Sequence, residues 1–176
     1  MRKRLTVIIV LCIAIAALIF FVFPAEANGL TNAAVNEENG DVAFCYPDYS
    51  GKADVIRVEL YNKDGERLFE KTVYPGAGAH VSLSFCEGNV YAYVGRYEAF
   101  YAWTREGVDC KSLATAEQIE SAKSSSSFTG WKNSFASSTY VCGENEYVYR
   151  KASLFGNRAR LLIKNADGER VIYESP

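Results

Sequence analysis

Short runs in which apolar and polar residues alternate, broken by turn residues, make up most of the chain after residue 40. "DVIRVELY" sets Ile56, Val58 and Leu60 on one side and Arg57 and Glu59 on the other, the pattern of a strand with one buried face. "DVAFCY" does the same with Val42, Phe44 and Tyr46, and "HVSLSF" with Val81, Leu83 and Phe85. Further runs rich in β-branched and aromatic residues are "RLFEKTVY", "VYAYVGRYEAFYAW", "EYVYRKASLF", "RARLLIK" and "RVIYE". The count, about eight or nine strands at this spacing, predicts an all-β fold: a two-sheet sandwich or a partly open barrel.

Two turns nearly coincide, "NKDGERLF" at 62–69 and "NADGERVI" at 165–172. Asn holds the turn with its side chain, and Gly supplies the positive φ that closes a hairpin. The motif reads either as two hairpins with one turn solution or as a duplicated half-domain. A calcium loop through Asn62, Asp64 and Glu66 lacks the glycine position and flanking helices of an EF-hand.

The β pattern is interrupted at 111–139. Thr115 followed by Gln118 is a capping-box start for a short helix, and a serine-rich stretch follows with Phe128, Trp131 and Phe135 at helical steps. The expectation is a short helical, Ser-rich insertion whose aromatics lie against the sheet or over a ligand.

The amino end differs from everything after it. Arg2, Lys3 and Arg4 precede an uncharged run from Leu5 to Phe23, then Pro24 and Ala25, Glu26, Ala27. That order is a secretory signal over residues 1–27, cut before Asn28, or the same segment kept as a single anchor. Either way the rest of the chain crosses the membrane. The expected location is secreted, periplasmic or cell surface, with membrane contact only through the amino-terminal segment if it stays uncut. Residues 28–40 read as a flexible lead, and 41–176 as one domain.

Export changes how the cysteines are read. Cys45, Cys86, Cys110 and Cys142 remain after the signal, an even number in an oxidising compartment, which predicts two disulfides. Cys45 with Cys86 and Cys110 with Cys142 are the favoured pairs of three possible sets. Removing Arg2, Lys3, Arg4 and Glu26 leaves 16 basic and 20 acidic residues, a net charge of −4, which disfavours nucleic acid as a partner.

Candidate chemistry is sparse. His80 is the only histidine, and no metalloprotease, nucleophile-elbow or phosphate-loop motif occurs. No catalytic residue, metal site or cofactor is expected. If 90–104 runs as one extended strand, Tyr91, Tyr93, Tyr97, Tyr101 and Trp103 share a face, a ladder of amphipathic rings suited to a glycan or an extracellular protein. The function that follows is a non-catalytic binding module. The alternatives are an assembly subunit whose lead adds a strand to a neighbour, and a carbohydrate-active hydrolase using a carboxylate pair.

Overall fold

The computed structural model describes residues 30–48, 55–74, 81–95, 99–124, 138–150 and 158–175. The signal segment, His80, Tyr97, Phe128, Trp131 and Phe135 lie outside these residues. Within them the chain is mostly β, with one α-helix, three antiparallel sheets and no closed barrel.

Sheet A contains β1 (Asn32–Val35), β2 (Val42–Asp48), β3 (Val55–Tyr61) and β4 (Arg67–Val73), in chain order. Sheet B contains β5 (Val81–Cys86), β6 (Asn89–Val94) and β7 (Ala99–Trp103), extended by a single bridge from Trp103 to Asp109. Sheet C contains β8 (Ser138–Cys142), β9 (Asn145–Arg150), β10 (Arg160–Asn165) and β11 (Gly168–Glu174), again in chain order. A 3-10 turn at Lys111–Leu113 leads into helix α1, Ala116–Ser124. The described residues thus hold eleven strands in three sheets, where alternation alone suggests about eight or nine in a two-sheet sandwich or a partly open barrel.

The difference arises because sheet A buries both faces. Ala43, Cys45, Val58 and Leu60 join Leu83, Val90 and Val94 of sheet B in one core. Val42 and Phe44, pointing the other way, join Tyr147, Leu161 and Ile163 of sheet C in a second. Residues 32–35 correct the expected flexible lead. Asn32, Ala33, Ala34 and Val35 are all buried in β1, which pairs with β2 in register. Asn32 Oδ1 also accepts the Leu83 amide at 3.2 Å, which ties β1 to sheet B.

The duplicated motif closes corresponding hairpins, β3–β4 in sheet A and β10–β11 in sheet C. Asn62 Oδ1 accepts the amides of Asp64 (3.0 Å) and Glu66 (2.8 Å), and Asn165 Oδ1 accepts that of Asp167 (3.0 Å). At the same 103-residue spacing Gly40 matches Gly143, Tyr46 matches Tyr149 and Arg57 matches Arg160. The loops nevertheless close differently. The first holds three residues between Asn62 and Glu66, with Gly65 at φ +77°; the second holds two between the paired Asn165 and Gly168. The two turns also touch: Arg170 Nη1 donates to the Asp64 carbonyl at 2.7 Å, and a Cβ on Gly65 would lie 2.6 Å from Arg170 Cδ.

The capping box forms as expected. Gln118 N donates to Thr115 Oγ1 (3.2 Å), and Thr115 N to Gln118 Oε1 (2.9 Å). The helix lies on the outer face of sheet B, with Ile119 against Tyr91, Phe100 and Cys110.

Candidate functional site

The expected tyrosine ladder does not exist as one face. β6 and β7 pair antiparallel within this run, and their register pairs Tyr91 with Ala102 and Tyr93 with Phe100, odd positions with even. Tyr91 and Tyr93 therefore face α1, whereas Tyr101 and Trp103 face the core shared with sheet A. Tyr91 is 2% exposed and Trp103 6%; Tyr93 and Tyr101 are half-buried. A parity change between the two strands moves every later side chain to the other face, and Gly95, directly after β6, is the residue in the run that signals it.

The disulfide expectation is also corrected: the four cysteines among the described residues, Cys45, Cys86, Cys110 and Cys142, are free thiols. Cys45 lies in the core between sheets A and B, while Cys86 and Cys110 lie on the opposite, helix-facing side of sheet B. Cys142 sits at the end of β8, its thiol 3.7 Å from the Glu37 carbonyl. Cys86 and Cys110 share a cluster without adjoining. Cys86 is on β5, and Cys110 binds Ala102 beyond β7, so about three strand spacings of ~4.8 Å separate them. Burial pushes the Cys45 thiol up to about 12, despite its contact with Thr31 Oγ1 at 3.2 Å.

A different constellation stands out, and it centres on Glu59. Alternation places this residue on the polar side of β3, yet it is only 5% exposed. Tyr46 on β2 donates to Oε1 at 2.5 Å, and Tyr61, two residues along β3, donates to Oε2 at 3.0 Å. Arg67 Nη1 lies 3.6 Å from Oε2. Glu70 is the direct cross-strand partner of Glu59 on β4, a like-charge pair that is unfavourable by itself. Two arginines offset it: Arg67 Nη1 binds Glu70 at 3.0 Å, and Arg57 Nη1 binds Glu70 at 3.0 Å while its Nε reaches Asp48 at 2.9 Å. Thr72 Oγ1 accepts a further bond from Arg57 at 3.0 Å.

Aromatic rings fix this network from the other side. Tyr46 packs on Tyr173 of β11 with ring centres 4.8 Å apart, and Phe44 stacks on Tyr61 at 5.6 Å and 22°. Burial, and then the Glu59 charge, push the Tyr61 phenol up to about 12. Burial and the Glu59 hydrogen bond push Tyr46 well above the usual phenol range. Both phenols are therefore donors at neutral pH, held in fixed orientations. Tyr46 and Tyr61 are half-buried, and the Arg57 and Arg67 side chains are 33% and 51% exposed. The result is a rigid rim of rings and guanidinium groups over a buried carboxylate.

Sequence reasoning missed this site because Glu59 reads as a solvated residue on a half-buried strand. The available signal was Tyr46 in β2 and Tyr61 in β3 with the same inward parity as Glu59, visible only once the β2–β3 register pairs Phe44 with Glu59.

A second polar recess, about 300 Å³, lies between the β1–β2 turn and the β8–β9 turn, lined by Glu37, Tyr140, Val141, Cys142 and Gly143. Its groups are bonded to one another. Tyr140 donates to the Glu37 carboxylate, which pushes that phenol up to about 12. Among the described residues no three His, Cys, Asp or Glu side chains gather as metal ligands.

No family model matches the chain, and neither a curated protein nor a solved structure shows significant similarity to it.

Proposed function

We propose that this chain is a non-catalytic binding module, exported from the cell, that holds an extracellular protein through the Tyr46–Tyr61–Arg57–Arg67 rim. The observation that carries the reading is the Glu59 clamp, which fixes two half-buried tyrosines and leaves two arginines at the surface. Tyrosine and arginine are the residues that dominate protein contacts, and a clamped ring loses little conformational entropy on binding. A glycan would need open ring faces to stack on; here the faces of Tyr46 and Tyr61 already meet Tyr173 and Phe44. The stacked sheets form the scaffold, two sandwich-like contacts sharing sheet A.

Glu59 and Glu70 are the cross-strand carboxylates from which a hydrolase reading would start. Both Glu59 oxygens accept phenol hydrogens and the residue is buried, which disfavours it as a carboxylate that meets a substrate.

The test compares wild type with Arg57→Ala/Arg67→Ala in capturing proteins from the extracellular fraction of the source cells, with circular dichroism as the fold control. The folded double variant should retain each captured partner at least about tenfold more weakly, the loss of one hot-spot contact. Equal capture would overturn the reading. A glycan array bound through the same arginines would replace the protein partner with a sugar.

A further inference from the structure

The turn between β1 and β2, residues 36–41, is where both other sheets hold sheet A. Arg105, in the turn after β7 of sheet B, binds the buried Asp41 carboxylate through Nε at 2.6 Å and Nη2 at 3.1 Å. From sheet C, the Tyr147 phenol donates to the Gly40 carbonyl and the Tyr140 phenol to the Glu37 carboxylate, while the Cys142 thiol lies 3.7 Å from the Glu37 carbonyl.

Inside this turn an exposed Asn39 is followed by Gly40. A glycine has no Cβ to hinder its own backbone nitrogen, so that nitrogen can approach the side-chain amide of a preceding asparagine. The fold needs both residues. Gly40 sits at φ +76°, and a Cβ there would meet Tyr147 Oη at 3.1 Å and Lys63 Cβ at 3.2 Å. Asn39 Oδ1 accepts the Asp41 amide at 2.9 Å, and its Nδ2 donates to Asp41 Oδ2 at 3.0 Å. The Gly40 amide in turn donates to the Asn36 carbonyl at 2.8 Å. The atoms that would react are the atoms that close the turn.

We propose that Asn39 is a deamidation site gated by this turn, and that its conversion irreversibly loosens the joint between sheet A and its neighbours. The Gly40 nitrogen gives up its proton and bonds Asn39 Cγ. The Cγ–Nδ2 bond breaks, Nδ2 leaves with that proton as ammonia, and a succinimide remains. Solvent water then opens the ring to aspartate or isoaspartate. Neither the hydrogen bond from the Gly40 amide nor the one from Nδ2 survives the first of these changes, so the turn must open before the reaction, and its opening sets the rate. The products do not close it again. Aspartate at position 39 lacks the donor that faced Asp41 and sets a second carboxylate beside a buried one. Isoaspartate adds a backbone atom to a turn closed by the bond from Asn36 N to the Asp41 carbonyl, 2.8 Å long. No residue of the Glu59 rim takes part, so the two readings stand or fall independently.

The test incubates the full chain at mildly alkaline pH and follows it by tandem mass spectrometry, which locates the amide-to-acid change at Asn39 and separates it from the Asn28–Gly29 pair. Native wild type should convert at least about tenfold more slowly than the same protein unfolded in urea. Arg105→Ala, which frees one side of the turn, should convert at least about tenfold faster than native wild type, whereas Leu162→Ala, a cavity in sheet C, should change the rate by less than about threefold. Equal rates in native and unfolded protein overturn the gate, as does an Arg105→Ala rate no faster than that of Leu162→Ala. Should Arg105→Ala fail to fold, Arg105→Lys takes its place with the same readings. Asn39→Asp, which carries the product's charge, should unfold at lower urea than wild type. Equal midpoints overturn the loosening.

Discussion

Asp41 has a buried carboxylate with both oxygens taken. Arg105 Nε binds Oδ2 at 2.6 Å and its Nη2 binds Oδ1 at 3.1 Å, while Asn39 Nδ2 adds a bond to Oδ2 at 3.0 Å. The pair ties the β1–β2 turn of sheet A to the turn after β7. The Asp41 side chain is 2% exposed and that of Arg105 46%, so removing the arginine strands a charge that water cannot reach. Arg105→Ala should cost about 2 to 3 kcal/mol in urea unfolding, below the full value for a buried pair because one partner is wet and Asn39 remains. A change under about 0.5 kcal/mol would mean the carboxylate is not buried. The tyrosines set a pH limit. Burial, with hydrogen bonding to Glu37 leading at Tyr140, pushes Tyr61, Tyr140 and Tyr147 up to about 12 from an ordinary value of 10.0. A raised native value means the folded state keeps its proton while the unfolded state loses it. Stability should hold up to about pH 10 and fall between pH 10 and 12. Phenolate absorbance of these residues should appear together with unfolding rather than before it.

The two motif turns show at the element scale how one sequence serves two geometries. Gly65 needs its positive φ and also makes room for Arg170. Gly65→Ala should cost about 2 kcal/mol, from backbone strain and from displacing the arginine stem that binds the Asp64 carbonyl. In a Gly65→Ala/Arg170→Ala cycle the steric part should vanish and the backbone part remain, so the double variant should be more stable than the sum of singles implies. Strict additivity would mean the turns do not press on each other. At this scale much was legible in the sequence. The alternating runs mark real strands, Asn62, Asn165 and Gly65 act in their turns as read, and Thr115 with Gln118 starts helix α1. Turn chemistry and caps are settled within a few residues, where sequence and geometry coincide. The Glu59 site was not legible, because its donors come from two strands and its aromatic backing from a third in another sheet.

For the whole molecule the cysteines report most directly on the layers. Cys86 and Cys142 are half-buried and Cys45 lies fully inside the A–B core. In native protein without reductant, iodoacetamide should modify Cys86 and Cys142 first and Cys45 only after unfolding. Intact mass should count four alkylated thiols once the chain is denatured, and five where the amino-terminal segment with Cys12 is kept. Protein that resists alkylation even when unfolded would carry disulfides, and the A–B and B–α1 layers would then have to rearrange to form them. Such a spread in reactivity would also show that the face of sheet A toward sheet B is covered.

The residues by themselves determined that the described chain is mostly β, where its strands turn and where the helix Ala116–Ser124 begins, because alternation, turn preference and capping are local. Only the tertiary structure decided which faces are inside. Alternation ranks the two sides of a strand against each other and cannot show that a second layer buries the more polar one, as sheet C does beside Phe44 and Glu59. Nor can it carry parity across a hairpin, which is why Tyr93 and Tyr101 end on opposite faces of sheet B. Burial is a property of the partner layer, and the partner layer is assembled from residues about a hundred positions away.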